Sequence, residues 1–163
     1  MNPQSSTTLY EFVLSLHSIV RWAVVFFGAI VLAQALLGLL AAGELGPLGR
    51  RLGLFFVICL DLQLLLGIGL HLFLSPVTRQ AMQDMGAAMK DPELRFWTAE
   101  HGLLMLVALV LVHVGRFLAG RAKSERSAHL RRFLTTAIAL GLIYLRTPWP
   151  FASVPRPWIR LPF

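Results

Sequence analysis

Read for its apolar and polar positions, the chain alternates long uncharged runs with short polar joints. Four runs stand out, at about Tyr10–Leu40, Leu54–Leu74, Phe96–Phe117 and 131–146, the last with an apolar core of Phe133–Leu145. A membrane-spanning helix needs roughly 20 mostly apolar residues, and the first three runs supply them. The fourth is short, but Arg131, Arg132 and Arg146 at its ends can snorkel to the interface. The pattern predicts an all-α integral membrane protein: an up-and-down four-helix bundle forming one domain over residues 1–163, with little outside the bilayer.

The joints refine this picture. Residues 1–9 are polar and read as frayed. The first connection, AAGELGPLGRRLG, is rich in Gly and Pro and reads as a tight turn. Residues 75–95 form the longest loop, expected to lie in the interface. There Met82, Met85 and Met89 fall at helical spacing; thioethers can hold copper(I), although one face of a short interfacial helix explains them more simply. His129, in the basic hinge before the fourth run, is expected to be solvated. The tail at 147–163, TPWPFASVPRPWIRLPF, holds five prolines and cannot be a helix. Its Trp/Arg mixture suits a segment lying on the membrane surface, where it could cover the mouth of the bundle.

Composition agrees with the pattern. The 163 residues are 56% hydrophobic, with a mean hydropathy of +0.69, which is too apolar for a soluble domain of this size. A net charge of +7 does not point to nucleic acid, because the basic residues sit in the joints. With the N-terminal side called A, side B holds Arg50, Arg51, Arg116, Arg121, Lys123, Arg126, Arg131 and Arg132. Side A holds Arg79, Lys90, Arg95, Arg146, Arg156 and Arg160, so the balance is eight against six. The positive-inside rule then makes side B cytoplasmic, with both termini outside a bacterial inner membrane. The opening residues have no basic n-region, and no cleaved signal peptide is expected. Cys59 is alone, so it forms no internal disulfide, and no CxxCH is present for covalent haem.

Polar groups inside apolar spans are costly, so they are the functional candidates. Counted inward from the loops, His71 and His101 lie about five residues deep and His17 about seven, which places three imidazoles in one layer near side A. In an up-and-down bundle the first and third helices are diagonal, roughly 13 Å apart if neighbouring axes are spaced about 8–10 Å. That gap suits His17 and His101 as an axial pair on a haem iron. His71 would be a propionate partner or an alternative ligand. Arg21, four residues after His17, would neutralise propionates. Gly67 and Gly69, just before His71, serve either close helix packing or a flat ring against the backbone. Hydrogen-bonded imidazoles without a cofactor, and a zinc or copper site, are the alternatives for this layer.

His113 lies twelve residues after His101, about 120° around the helix, so the two do not share a face. It falls at the depth of Asp61, with Gln63 and Arg116 nearby. A structural Asp–His or Asp–Arg contact is the expectation there, with a proton or quinone site as its functional version. Gln34, deep in the first helix, is expected to hydrogen-bond across helices.

The segments LHSIVRW, DLQLLLG, RFWTAEHGLLM, HVGR and TPWPF…RPW resemble those of a family of small bacterial four-helix membrane proteins labelled cytochrome b. The resemblance covers most of the chain and implies a four-helix haem-b fold. It also implies a recurring polar set at His17, Arg21, Gln63, Glu100, His101 and Arg116, to which His71 does not belong. The expectation is therefore a protein binding one bis-histidine haem b and passing electrons between a quinol pool and a redox partner. It would work beside other membrane subunits of a respiratory or photosynthetic complex. A cofactor-free structural or assembly subunit is the competing class. No catalytic constellation is visible, so an accessory or electron-transfer role is favoured over a stand-alone enzyme.

Overall fold

The computed structural model describes residues 3–41 and 43–160, with side chains from residue 8 onward. The described residues are helical or irregular, with no strand among them. Helix α1 runs Pro3–Ala41 and α2 runs Pro47–Gly69, continuing as a π turn over Leu70–Leu74. Short helices α3 (Pro76–Gln83), α4 (Met85–Ala88) and α5 (Pro92–Arg95) follow, and α5 passes through a second π turn, Phe96–Glu100, into α6 (His101–Gly120). Helix α7 spans Glu125–Arg146.

Three stretches are long and apolar enough to cross a membrane: Thr8–Ala41, Pro47–Leu74 and Pro92–Gly120. Their outer faces carry large exposed apolar side chains such as Phe26, Leu37, Leu65 and Leu103, as a lipid-facing surface requires. Helix α1 packs on α2 and α7, and α6 packs closely on α7 and more loosely on α2. Each of these four helices contributes to one core layer, with Val24, Phe56, Leu60, Ala108, Val112, Ala139 and Ile143 at its centre. Gly115 lets α6 approach α7: a Cβ there would run into the Thr135 side chain.

Several expectations need correction. The first helix does not begin near Tyr10, because residues 3–9 are already helical; residues 1–2 of the supposed frayed segment lie outside the described residues. The first connection shrinks to 43–46 plus residue 42, which also lies outside them, since Pro47 in the first turn starts α2 early. The 75–95 segment is mostly helical, because Ser75, Asp84 and Asp91 each cap a new helix by accepting from the main-chain N–H of Thr78, Ala87 and Leu94 (3.4, 2.9 and 2.8 Å). The Met stripe is thereby split between α3 and α4, and Ala81 and Ala88 are buried while Met82 and Met85 are exposed.

His129 is not solvated. Only 1% of it is exposed, and its Nε2–H donates to the Gly43 carbonyl at 2.8 Å. The reason is that Ser124 caps α7 and starts it well before the apolar run. His129 then falls in the second turn and lies against Gly38 of α1, where no side chain competes for the space. Among the described residues Gln34 makes no hydrogen bond across the helices, and its Oε1 lies beside Gly49 instead.

Candidate functional site

Two local features shape the side-A end. The π turns at Leu70–Leu74 and Phe96–Glu100 lie on facing stretches of chain, one containing His71 and the other delivering His101. Such insertions redirect the side chains of a helix and collect at functional sites. Between them lies a cavity of about 620 Å³, within the size range of small-molecule and cofactor sites. Its floor is the core layer, through Val24, Leu60 and Ile143.

All three histidines expected in one layer line this cavity, as do Arg21 and Gln63. His101 donates its Nδ1–H to the Arg146 carbonyl of α7 at 2.7 Å, which leaves Nε2 with its lone pair. This is the outer-sphere arrangement that orients a metal-bound imidazole. His17 keeps a buried Nδ1 with no partner. A Cβ on Gly67 would come within 3.4 Å of His17 Cε1, so the glycine makes room for that ring. Gly69 faces open space.

The remaining walls are also undersupplied with partners. Arg21 Nε, Gln63 Oε1, Trp97 Nε1 and Thr98 Oγ1 are buried and unpaired, and their four residues all line the cavity. Three of these atoms are donors, and none has an acceptor among the described residues. Buried polar groups are usually satisfied, so such a cluster calls for an explanation.

The tail forms part of the wall, through Pro148, Arg156, Pro157 and Arg160. The Trp158 carbonyl accepts from Arg21 Nη2 and, at 2.9 Å, from Trp22 Nε1. Arg160 pairs with Glu11 at 3.0 Å, and its main-chain N–H donates to Ser18 Oγ at 3.2 Å. Arg21 lies over the Trp22 and Trp149 rings (5.7 and 5.6 Å). Arg156, over Trp97 at 5.0 Å, adds a further cation to the cavity wall. Outside it, Glu100 binds Arg95 (2.8 Å) and Arg146 (3.2 Å), tying the start of α6 to the end of α7.

The other polar group divides. Asp61 Oδ1 and His113 Nε2 meet at 3.4 Å, while His113 Nδ1–H donates within its own helix to Leu109 O at 3.0 Å. Both side chains are nearly half exposed, at 46% and 41%. Gln63 does not join them; it turns into the histidine cavity. Arg116 extends towards Gly53 and forms no ion pair with Asp61. The unpaired Trp97 and Thr98 escaped sequence reading because nothing in their spacing distinguishes them from ordinary interfacial residues. Among the described residues no three or more His, Cys, Asp or Glu side chains converge tightly enough to hold a metal ion, so the three histidines share a cavity but not a point. No family model, curated protein or solved structure matches the chain.

Proposed function

We propose that the chain is a four-helix integral membrane protein that binds one haem b in the histidine-lined cavity and carries electrons between a quinol pool and a redox partner. The observation that carries this reading is a ligand-sized cavity lined by His17 and His101 from two helices, with His101 oriented by the Arg146 carbonyl. The donor set fits the group. His17 and His101 would be the axial ligands, and Gly67 keeps the space beside His17 clear. Arg21, Trp97 and Thr98 offer unpaired donors suited to propionate carboxylates. When bound, haem supplies the one-electron chemistry. The chain's own residues orient the ring, neutralise its carboxylates and, through the tail, exclude water.

The membrane arrangement has its own support. The Glu11–Arg160 pair brings the start of α1 and the tail to one end, which α7 reaches by running the length of the bundle. Its first turns carry Arg131 and Arg132, which lower its apolarity but can snorkel. The half-exposed Asp61–His113 pair on the outside of two spans favours cover by another subunit, and a quinol is the reductant class met in the lipid phase. By the basic-residue balance, side A would face away from the cytoplasm.

The test is a dithionite-reduced minus oxidised spectrum of the purified protein with pyridine haemochrome quantification. We expect a b-type spectrum near one haem per chain, lost in His17→Ala and in His101→Ala and retained in His71→Ala. A colourless protein with full helix content would overturn the reading and leave the imidazoles as links between helices.

A further inference from the structure

The opposite end of the bundle carries a second undersupplied site. Arg132, on α7, has a buried Nη1 with no hydrogen-bond partner. Its charged neighbours are Glu125, Arg116 of α6 and Arg50 of α2. One carboxylate thus faces three guanidiniums, and none of the three arginines forms an ion pair among the described residues. Asp61, the other acid on α2, is engaged by His113. Glu44, in the connection before α2, likewise forms no ion pair with them. Arg50 uses one Nη donor on the Leu45 carbonyl and keeps the rest.

Arg50 and Arg116 are exposed. Arg116 Nη1 lies 4.0 Å from where a Cβ on Gly53 would stand, so Gly53 leaves clear the side of α2 that the Arg116 head group approaches. Helices α2 and α6 are the most loosely packed of the neighbouring pairs. Leu54, Phe117 and Leu134, next to the three arginines in sequence, are exposed and apolar. A cationic head site continuous with an apolar outer wall matches a molecule that is anionic at one end and aliphatic along its length. Guanidinium forks favour phosphate oxygens, accepting them in pairs, and basic pockets between spans recognise anionic head groups.

We propose that Arg50, Arg116 and Arg132 form a binding site for the phosphodiester of an anionic phospholipid at the side-B end of α2, α6 and α7. The site is independent of the histidine cavity and stands whether or not haem binds there. The lipid phosphate accepts from the exposed forks of Arg50 and Arg116, with the Arg132 guanidinium turning to join them, and its acyl chains cover the exposed apolar side chains.

The experiment uses the full chain, delipidated in a neutral maltoside detergent and titrated with phosphatidylglycerol, phosphatidylcholine or inorganic phosphate. Phosphatidylglycerol is expected to raise the thermal midpoint by roughly 5–10 °C at about 100 times its Kd. Phosphatidylcholine and phosphate are expected to leave it unchanged. The shift should vanish in Arg116→Gln/Arg132→Gln and persist in Arg121→Gln/Arg126→Gln, which alters hinge arginines only. Arg116→Lys/Arg132→Lys, which keeps the charge and removes the fork, should retain a part of it. Native mass spectrometry of the unaltered protein should show a roughly 10- to 100-fold preference for phosphatidylglycerol over phosphatidylcholine, a readout that holds even if the glutamine variant does not fold. Equal binding of the two lipids, or an undiminished shift in the glutamine variant, would overturn the proposal. An equal shift with inorganic phosphate would assign the site to the free anion and overturn the lipid.

Discussion

Adding one methyl group at Gly38 should be harmful only while His129 is present. A Cβ built at Gly38 overlaps the His129 ring, meeting its Cε1, Nδ1 and Nε2. The ring cannot easily swing away, because Nε2–H is held by the Gly43 carbonyl at 2.8 Å and the side chain is buried. Overpacking of this kind costs about 1–3 kcal/mol. Alanine in place of a helical glycine returns about 0.5–1 kcal/mol, so Gly38→Ala alone should destabilise by a net of about 0–2.5 kcal/mol. His129→Ala removes a buried ring and a hydrogen bond, which together are worth about 3–4 kcal/mol. In that background the overlap is gone, and Gly38→Ala should stabilise by about 0.5–1 kcal/mol. The double-mutant cycle should therefore show a coupling of about 1–3 kcal/mol, with a change of sign in the glycine substitution. Reversible denaturant unfolding in detergent micelles, followed by tryptophan fluorescence, measures all four corners. Equal effects of Gly38→Ala in both backgrounds, within about 0.5 kcal/mol, would show that the ring does not occupy the space opposite Gly38.

Two further predictions concern the side-A end. Gly67→Leu should drive a side chain into the space beside His17 and lower haem retained on purification about tenfold, with helix content by circular dichroism unchanged; full retention would mean the ring does not lie there. Glu100→Gln should lose no more than about 1 kcal/mol, because its pairs with Arg95 and Arg146 are partly exposed. The unaltered protein should also be more sensitive to added salt than the variant when unfolding midpoints are compared at low and high ionic strength; identical salt responses would count against the pairs.

What sequence could reveal follows from the range of the signal. Apolar period and length place the long helices, and counting inward from the joints brings His17, His71 and His101 to one cavity, because depth along a helix is a matter of arithmetic. The irregular course of the tail was legible for a similar reason: its prolines forbid a helix, and its tryptophans need an interface. Azimuth was harder. Depth groups Gln63 with Asp61 and His113, and only the packing of α2 decides that it faces the cavity and Asp61 does not. His129 was misjudged because a polar flank hid the cap at Ser124, and Gly38, its counterpart, lies 91 residues away. The three caps in 75–95 were visible as Ser-Pro, Asp and Asp-Pro, but a hydrophilic composition suggested a loop. The π turns leave no sequence mark at all, since one extra residue in a helical turn changes no residue type.

The tail also imposes an order on the life of the molecule. Its ties to α1 join residues 137 and 149 apart in sequence, among the most distant contacts in the fold and thus among the last to form. During synthesis α1, α2, α6 and α7 all precede that segment. The histidine chamber is therefore built before the tail is laid against it, and whatever it is to hold has its widest path of entry while the newly inserted helices are still waiting for the segment that follows α7. Maturation then becomes a matter of timing: an occupant that arrives late must first undo the Arg21, Trp22 and Glu11 contacts that an early one never meets.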